Sequence, residues 1–251
     1  MPNPAFRRGE IFLHRGDLSQ AQSWFERAVS DAREQGADNA LSEALGNLGN
    51  VHALLENYPQ AEDSYREVLA IQRSLQDEGA VGETLVNLGN IKSDTGHPQE
   101  ARAYYLEALD VLTPLGHDRA LGIVFNNLAL IDLQSGETDK AIDSFHLALE
   151  YHRKVGNEDG LAATYGQLGK TFLQLGMSQK AEGCLNNATE HFIKLGNGPG
   201  EAGALRLLAE LYEKREDRVS ALRCLERVLQ LDQTYRLPQL EADQRRHARL
   251  V

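Results

Sequence analysis

The chain repeats itself every forty residues, and this periodicity constrains its fold more than any local signal. The triplet Leu48-Gly49-Asn50 returns unchanged as Leu88-Gly89-Asn90. In register, the ninth position of successive stretches reads Gly9, Gly49, Gly89, Ala129, Gly169 and Ala209, always a small residue. The twenty-first reads Ala21, Ala61, Ala101, Ala141, Ala181 and Ala221 without exception. The twenty-fifth reads Phe25, Tyr65, Tyr105, Phe145, Leu185 and Leu225, and the twenty-eighth holds only Ala or Val. The units run 1–40, 41–80, 81–120, 121–160, 161–200 and 201–240 with no insertion, and a tail follows at 241–251.

These positions predict two helices per unit. In the first helix, positions five, eight, nine and twelve share a face, as Leu45, Leu48 and Gly49 show. In the second, positions 21, 25, 28 and 29 do the same, as in Ala61, Tyr65, Val68 and Leu69. Small residues at nine and 21 allow the two backbones to approach closely. Gly16, Gly96, Gly136 and Gly176 stand where first helices should end in a left-handed residue, and Gly36, Gly116, Gly156 and Gly196 close the second helices. Pro59 and Pro98 fall at the start of second helices, where a missing amide costs nothing. Gly196-Asn197-Gly198-Pro199-Gly200 reads as a turn or hinge between helices that loosens the joint between the fifth and sixth units.

Small at nine, Ala at 21, aromatic at 25 and Ala at 28 together resemble the tetratricopeptide repeat (TPR). The forty-residue period is similar to that of Leu-Gly-Asn repeat scaffolds and of kinesin light chain. The resemblance covers essentially the whole chain. It implies an all-α, right-handed α-solenoid of about six helix-turn-helix units, in which each unit contacts mainly its neighbours. Arg8 replaces the leucine of the eighth position in the first unit, as expected of a solenoid end. The tail, with Arg245 and Arg249 where a further unit would want apolar and small residues, reads as a polar capping helix or a frayed end.

The formal net charge is −11, and no basic stripe is visible, which argues against nucleic-acid binding. No apolar run approaches the roughly 20 residues of a membrane helix. The N-terminus carries no secretory signal, so a cytoplasmic location is the default expectation. Cys184 and Cys224 occupy the same position in neighbouring units. Stacked helices sit about 8–10 Å apart, whereas a disulfide needs Cα atoms within about 7 Å, so both thiols are expected to be free. No His-Glu-x-x-His, Cys-x-x-Cys or Gly-x-Ser-x-Gly motif occurs, and most of the eight histidines are expected at the surface. No catalytic residue, cofactor or metal ligand is assigned.

The chemistry that remains is a ladder of carboxamides on the first helices: Asn47, Asn50, Asn87, Asn90, Asn126, Asn127, Gln134, Gln167 and Gln174, with Lys170. Asparagine in a helix interior costs roughly half a kcal/mol or more against alanine. Its recurrence therefore requires a reason. Each carboxamide offers two donors and an acceptor. They either grip the backbone of an extended peptide, as the resemblance implies, or bond neighbouring repeats and hold the superhelix; the two roles are compatible. The basic clamp with which chaperone-binding relatives grip a terminal carboxylate is missing from the centre of position six, which reads Phe6, Gly46, Val86, Asn126, Gly166 and Arg206. Glu43, Glu83 and Asp94 make the N-terminal half of the groove acidic, which favours a ligand of basic or amide-rich character. The expected function is a non-enzymatic protein–protein interaction scaffold. A regulatory or sensor module of a larger system, or a self-associating platform, are the alternatives.

Overall fold

The computed structural model describes residues 3–251, which form thirteen α-helices and no strand. They are α1 (Pro4–His14), α2 (Leu18–Gln35), α3 (Asp38–Leu54), α4 (Tyr58–Ser74), α5 (Glu78–Asp94), α6 (Pro98–Leu115), α7 (Asp118–Gln134), α8 (Thr138–Lys154), α9 (Glu158–Gln174), α10 (Ser178–Lys194), α11 (Gly198–Lys214), α12 (Arg218–Tyr235) and α13 (Leu240–Leu250). Two compact units divide within α7, Met1–Ile131 and Asp132–Val251. In each, consecutive helices joined by tight turns pack as antiparallel pairs, the packing of a TPR α-solenoid.

The packing inside a pair follows from a size match. A Cβ added at Gly49 would lie 2.8 Å from the ring of Tyr65, and one at Gly89 would lie 2.5 Å from the ring of Tyr105. The small ninth position is thus the floor on which the large twenty-fifth side chain rests. The alanines of position 21 are fully buried throughout, because any larger side chain would hold the pair apart. The predicted first-helix face is the buried one, with Leu45, Leu48, Gly49 and His52 all inside.

Each turn needs a left-handed residue. Eight glycines supply it, with φ of 61–78°. At the other four turns Glu56, Gln76, Glu216 and Arg236 adopt the same conformation at φ of 53–60°. Asp17, Asp77, Asn157, Asn197 and Asp217 cap the following helices through side-chain oxygens.

Two expectations are corrected. Gly198, Pro199 and Gly200 are not a hinge but the first turn of α11. They are small because aromatic rings lie against them: a Cβ at Gly198 would fall 1.9 Å from Tyr235, and one at Gly200 would fall 2.4 Å from Phe192. Glycine here serves close approach, so the joint is tight. The histidines also divide more evenly than expected. His52 and His152 are buried, and His191 and His247 are half-buried.

The last helix, α13, is polar, and ion pairs hold it. Arg206 of α11 bonds Asp243 at 2.6 Å and also pairs with buried Asp232 of α12. Arg246 bonds Glu213 at 2.7 Å. Burial pushes the Asp232 carboxyl above the usual carboxylate range despite the nearby guanidinium. Both cysteines are free thiols, and burial raises the Cys184 thiol to about 11.

Candidate functional site

In the first unit, α3, α5 and α7 present the predicted asparagines, and hydrogen bonding sorts them into two kinds. Asn50 accepts a hydrogen bond from the Tyr65 hydroxyl at 2.6 Å, and Asn90 accepts one from Tyr105 at 2.8 Å. The two rings are almost fully buried, and a buried hydroxyl left without a partner is expensive. Asn127 donates to Asn90 at 2.8 Å and contacts the Tyr105 hydroxyl at 3.3 Å, closing a polar triangle between adjacent repeats. Asn126 in turn donates to Asn127 at 3.4 Å. Desolvation pushes the Tyr65 phenol up to about 12, and it raises Tyr105 as well.

The pairing is visible within this one chain. Where position 25 is Tyr, position ten is Asn; where it is Phe145, position ten is Leu130. The asparagine of the Leu-Gly-Asn triplet is therefore the acceptor for a core tyrosine. Sequence reasoning missed this role, although the pairing carried the signal.

The other two asparagines are differently placed. Asn47 turns its amide onto its own helix, donating to the Glu43 carbonyl at 3.0 Å. Asn87 is half-buried and makes no hydrogen bond among the described residues. Both line a concavity of about 310 Å³ between α3, α4 and α5, together with Asn39, Glu43, Gly46, Asn50, Gln72, Asp77, Glu83 and Thr84, over Tyr65 and Val68. Asn87 and Glu83 also wall a second concavity of about 220 Å³, lined by Val86, Arg119, Ala120 and Ile123. A third of about 530 Å³ lies between α1, α2 and α3, with Arg7, Glu10, Asp31 and Glu43 among its lining residues. Of the expected acidic residues, Glu43 and Glu83 line the central concavity together with Asp77, and exposed Asp94 lies close enough to Tyr105 to act on its hydroxyl.

In the second unit, Gln134, Lys170 and Gln174 are exposed and Gln167 is half-buried. Arg206, the basic residue at position six, faces Asp232 and Asp243 and is already neutralised. His191 pairs with Glu158 and stacks on Tyr165 at 5.8 Å, which ties α9 to α10; the pairing lowers the Glu158 carboxyl. No group of three or more His, Cys, Asp or Glu among the described residues is placed to hold a metal ion. No described helix is long and apolar enough to cross a membrane.

Against known structures, the fold is similar to that of BtubC from P. vanneervenii, with TM-score 0.76, 21% identity, and coverage of 87% of this chain and 92% of that one. It is also similar to a signal-transduction ATPase with a tetratricopeptide repeat sensor from Pyrococcus horikoshii, with TM-score 0.81 and 19% identity; 98% of this chain corresponds to 38% of that protein. A Rap protein complexed with Competence and Sporulation Factor matches 98% of this chain over 73% of its own, with TM-score 0.71 and 13% identity. At these identities the likeness is one of fold. No curated protein matches the chain by sequence at a significant level. The sequence pattern of the tetratricopeptide repeat matches residues 3–74, 41–113, 80–154, 120–194 and 160–234 in overlapping succession. With helix pairs, turn glycines and ring-on-glycine packing all of that kind, the chain belongs to the tetratricopeptide repeat family.

Proposed function

We propose that the chain is a protein-interaction module that holds an extended segment of a protein partner along the groove of its first unit. The observation that carries this reading is Asn87. It sits in the interior of α5, where asparagine is unfavourable, and its side chain makes no hydrogen bond among the described residues while walling two adjacent concavities. A carboxamide so placed can donate to and accept from a ligand backbone at once, the main-chain grip by which extended peptides are held. Asn47 offers a further polar contact in the same concavity, and Gln134, Gln167, Lys170 and Gln174 are polar contact candidates within the second unit, whereas Asn50, Asn90, Asn126 and Asn127 act chiefly on the fold.

The test separates these two sets. Peptides selected from a displayed random library on the wild-type protein are measured against Asn87→Ala and Asn90→Ala. Asn87→Ala should weaken binding about fivefold with an equal or higher melting temperature, since a lost ligand hydrogen bond costs about 1 kcal/mol and alanine is the better helix former. Asn90→Ala should lower the melting temperature. Unaltered binding by Asn87→Ala would overturn the reading.

A second reading, a sensor module within a larger signalling protein, draws on the correspondence of this chain to 38% of the Pyrococcus ATPase. It uses the same groove. Finding the chain joined to an effector domain in its native protein would favour it.

A further inference from the structure

We propose that the groove of the first unit reads a two-residue code: an arginine or lysine, and an aliphatic side chain two residues away in the same extended segment. This rests on the groove reading above and adds the chemistry of the occupant.

The central concavity is built for a cation. Glu43 and Glu83 hold the same helix position one repeat apart, and both are exposed. Some glutamates of the unit are paired, such as Glu67 with Arg33 at 2.6 Å and Glu107 with Arg73 at 2.6 Å. Glu43 and Glu83 make no ion pair among the described residues, although Arg7 lines a neighbouring cavity with Glu43 and Arg119 lines the adjoining one with Glu83. Asp77 adds a third carboxylate, and no Lys, Arg or His lines the cavity. Two carboxylates flanking one guanidinium make charge-assisted hydrogen bonds, and Leu75, exposed in the same cavity, offers an apolar surface for the side chain's stem.

An independent observation is Gly46 in the same cavity. Glycine in mid-helix costs roughly 0.5–1 kcal/mol against alanine. At Gly49 and Gly89 packing demands it; at Gly46 an added Cβ would meet nothing within 4 Å. The fold does not need this glycine. What it does is keep the floor of the cavity open.

The adjoining concavity has the opposite character. Val86, Ala120 and Ile123 give it an apolar wall, and Arg119 at its rim repels a second cation. Glu83 and Asn87 form the wall common to both. In an extended chain, side chains i and i+2 point the same way about 6–7 Å apart. Neighbouring cavities with a shared wall fit that spacing, and Asn87 then faces the backbone between the two side chains.

Heptapeptides selected from a displayed random library test the code. On the wild-type protein they should be enriched in Arg or Lys two positions from Leu, Ile or Val. A fluorescein-labelled consensus peptide should bind about tenfold to a hundredfold more weakly to Glu43→Gln/Glu83→Gln, the loss expected for hydrogen bonds to charged groups. It should also bind more weakly as salt is raised. Gly46→Leu should block binding while leaving the melting temperature equal or higher, so lost binding there cannot be lost folding. Selected peptides without a basic residue, or affinity unmoved by Glu43→Gln/Glu83→Gln, would overturn the code; if those peptides still respond to Asn87→Ala, the groove reading survives. Peptides indifferent to both Gly46→Leu and Asn87→Ala, or no selected peptide at all, would overturn both.

Discussion

Asn50 and Asn90 show how one residue type can be read two ways until its neighbours are known. Each meets a tyrosine hydroxyl from the second helix of its own pair, on a ring that is almost fully buried. The chain itself holds an apolar choice at the same two repeat positions, Leu130 at ten and Phe145 at 25. Tyr65→Phe alone should cost about 0.5–1.5 kcal/mol for the lost bond. Asn50→Leu alone should cost more, about 1–3 kcal/mol, because it strands the hydroxyl. The double variant should recover to near wild-type stability, and denaturant unfolding of all four proteins gives the coupling directly. Asn90 is tied to Asn127 as well, so the same cycle there should show a larger penalty.

At the level of the element, helix ends and helix contacts are set by where side chains are absent. The turn glycines take φ values that side chains disfavour, and Glu56 takes one at 59° without being glycine. The first turn of α11 shows the other use of absence. Gly198→Ala would drive a methyl group into the Tyr235 ring, and overpacking of this kind costs about 1–3 kcal/mol. The measured loss should shrink when Tyr235→Ala is combined with it. Helix propensity alone gives the opposite sign, since alanine is the better helix former.

Across the whole molecule, acidity and burial act together on stability. The net charge of −11 is carried mostly by exposed faces, where paired charges contribute little each. His52 is different. Burial lowers its proton affinity from the ordinary value of 6.5, and Glu26 only partly opposes this. The folded chain therefore excludes a proton that the unfolded chain takes up. Stability is kept in full above pH 6.5 and falls as the solution acidifies towards the folded-state value. His52→Leu should flatten the fall in unfolding free energy between pH 7 and pH 5, read from the fluorescence of Trp24, which packs against the core around Phe25, Leu48 and Val51. Asp232 works the other way: its carboxyl is raised by burial, so its ionisation opposes folding as the pH rises.

Much of the fold was legible because a forty-residue period repeats one size rule: small at nine, alanine at 21, a bulky side chain at 25. Such a rule is written in side-chain volumes, and volumes are carried by residue identity. The free cysteines, the helix stops and the starts at Pro59 and Pro98 follow from the same register. The sequence alone did not separate Asn87 from Asn90, show that Asp77 joins Glu43 and Glu83 in one concavity, or turn Gly198 from a hinge into a packing surface. Those distinctions depend on which side chain from another helix arrives within hydrogen-bond or contact distance. That is a property of packing in three dimensions, to which spacing along the chain is blind.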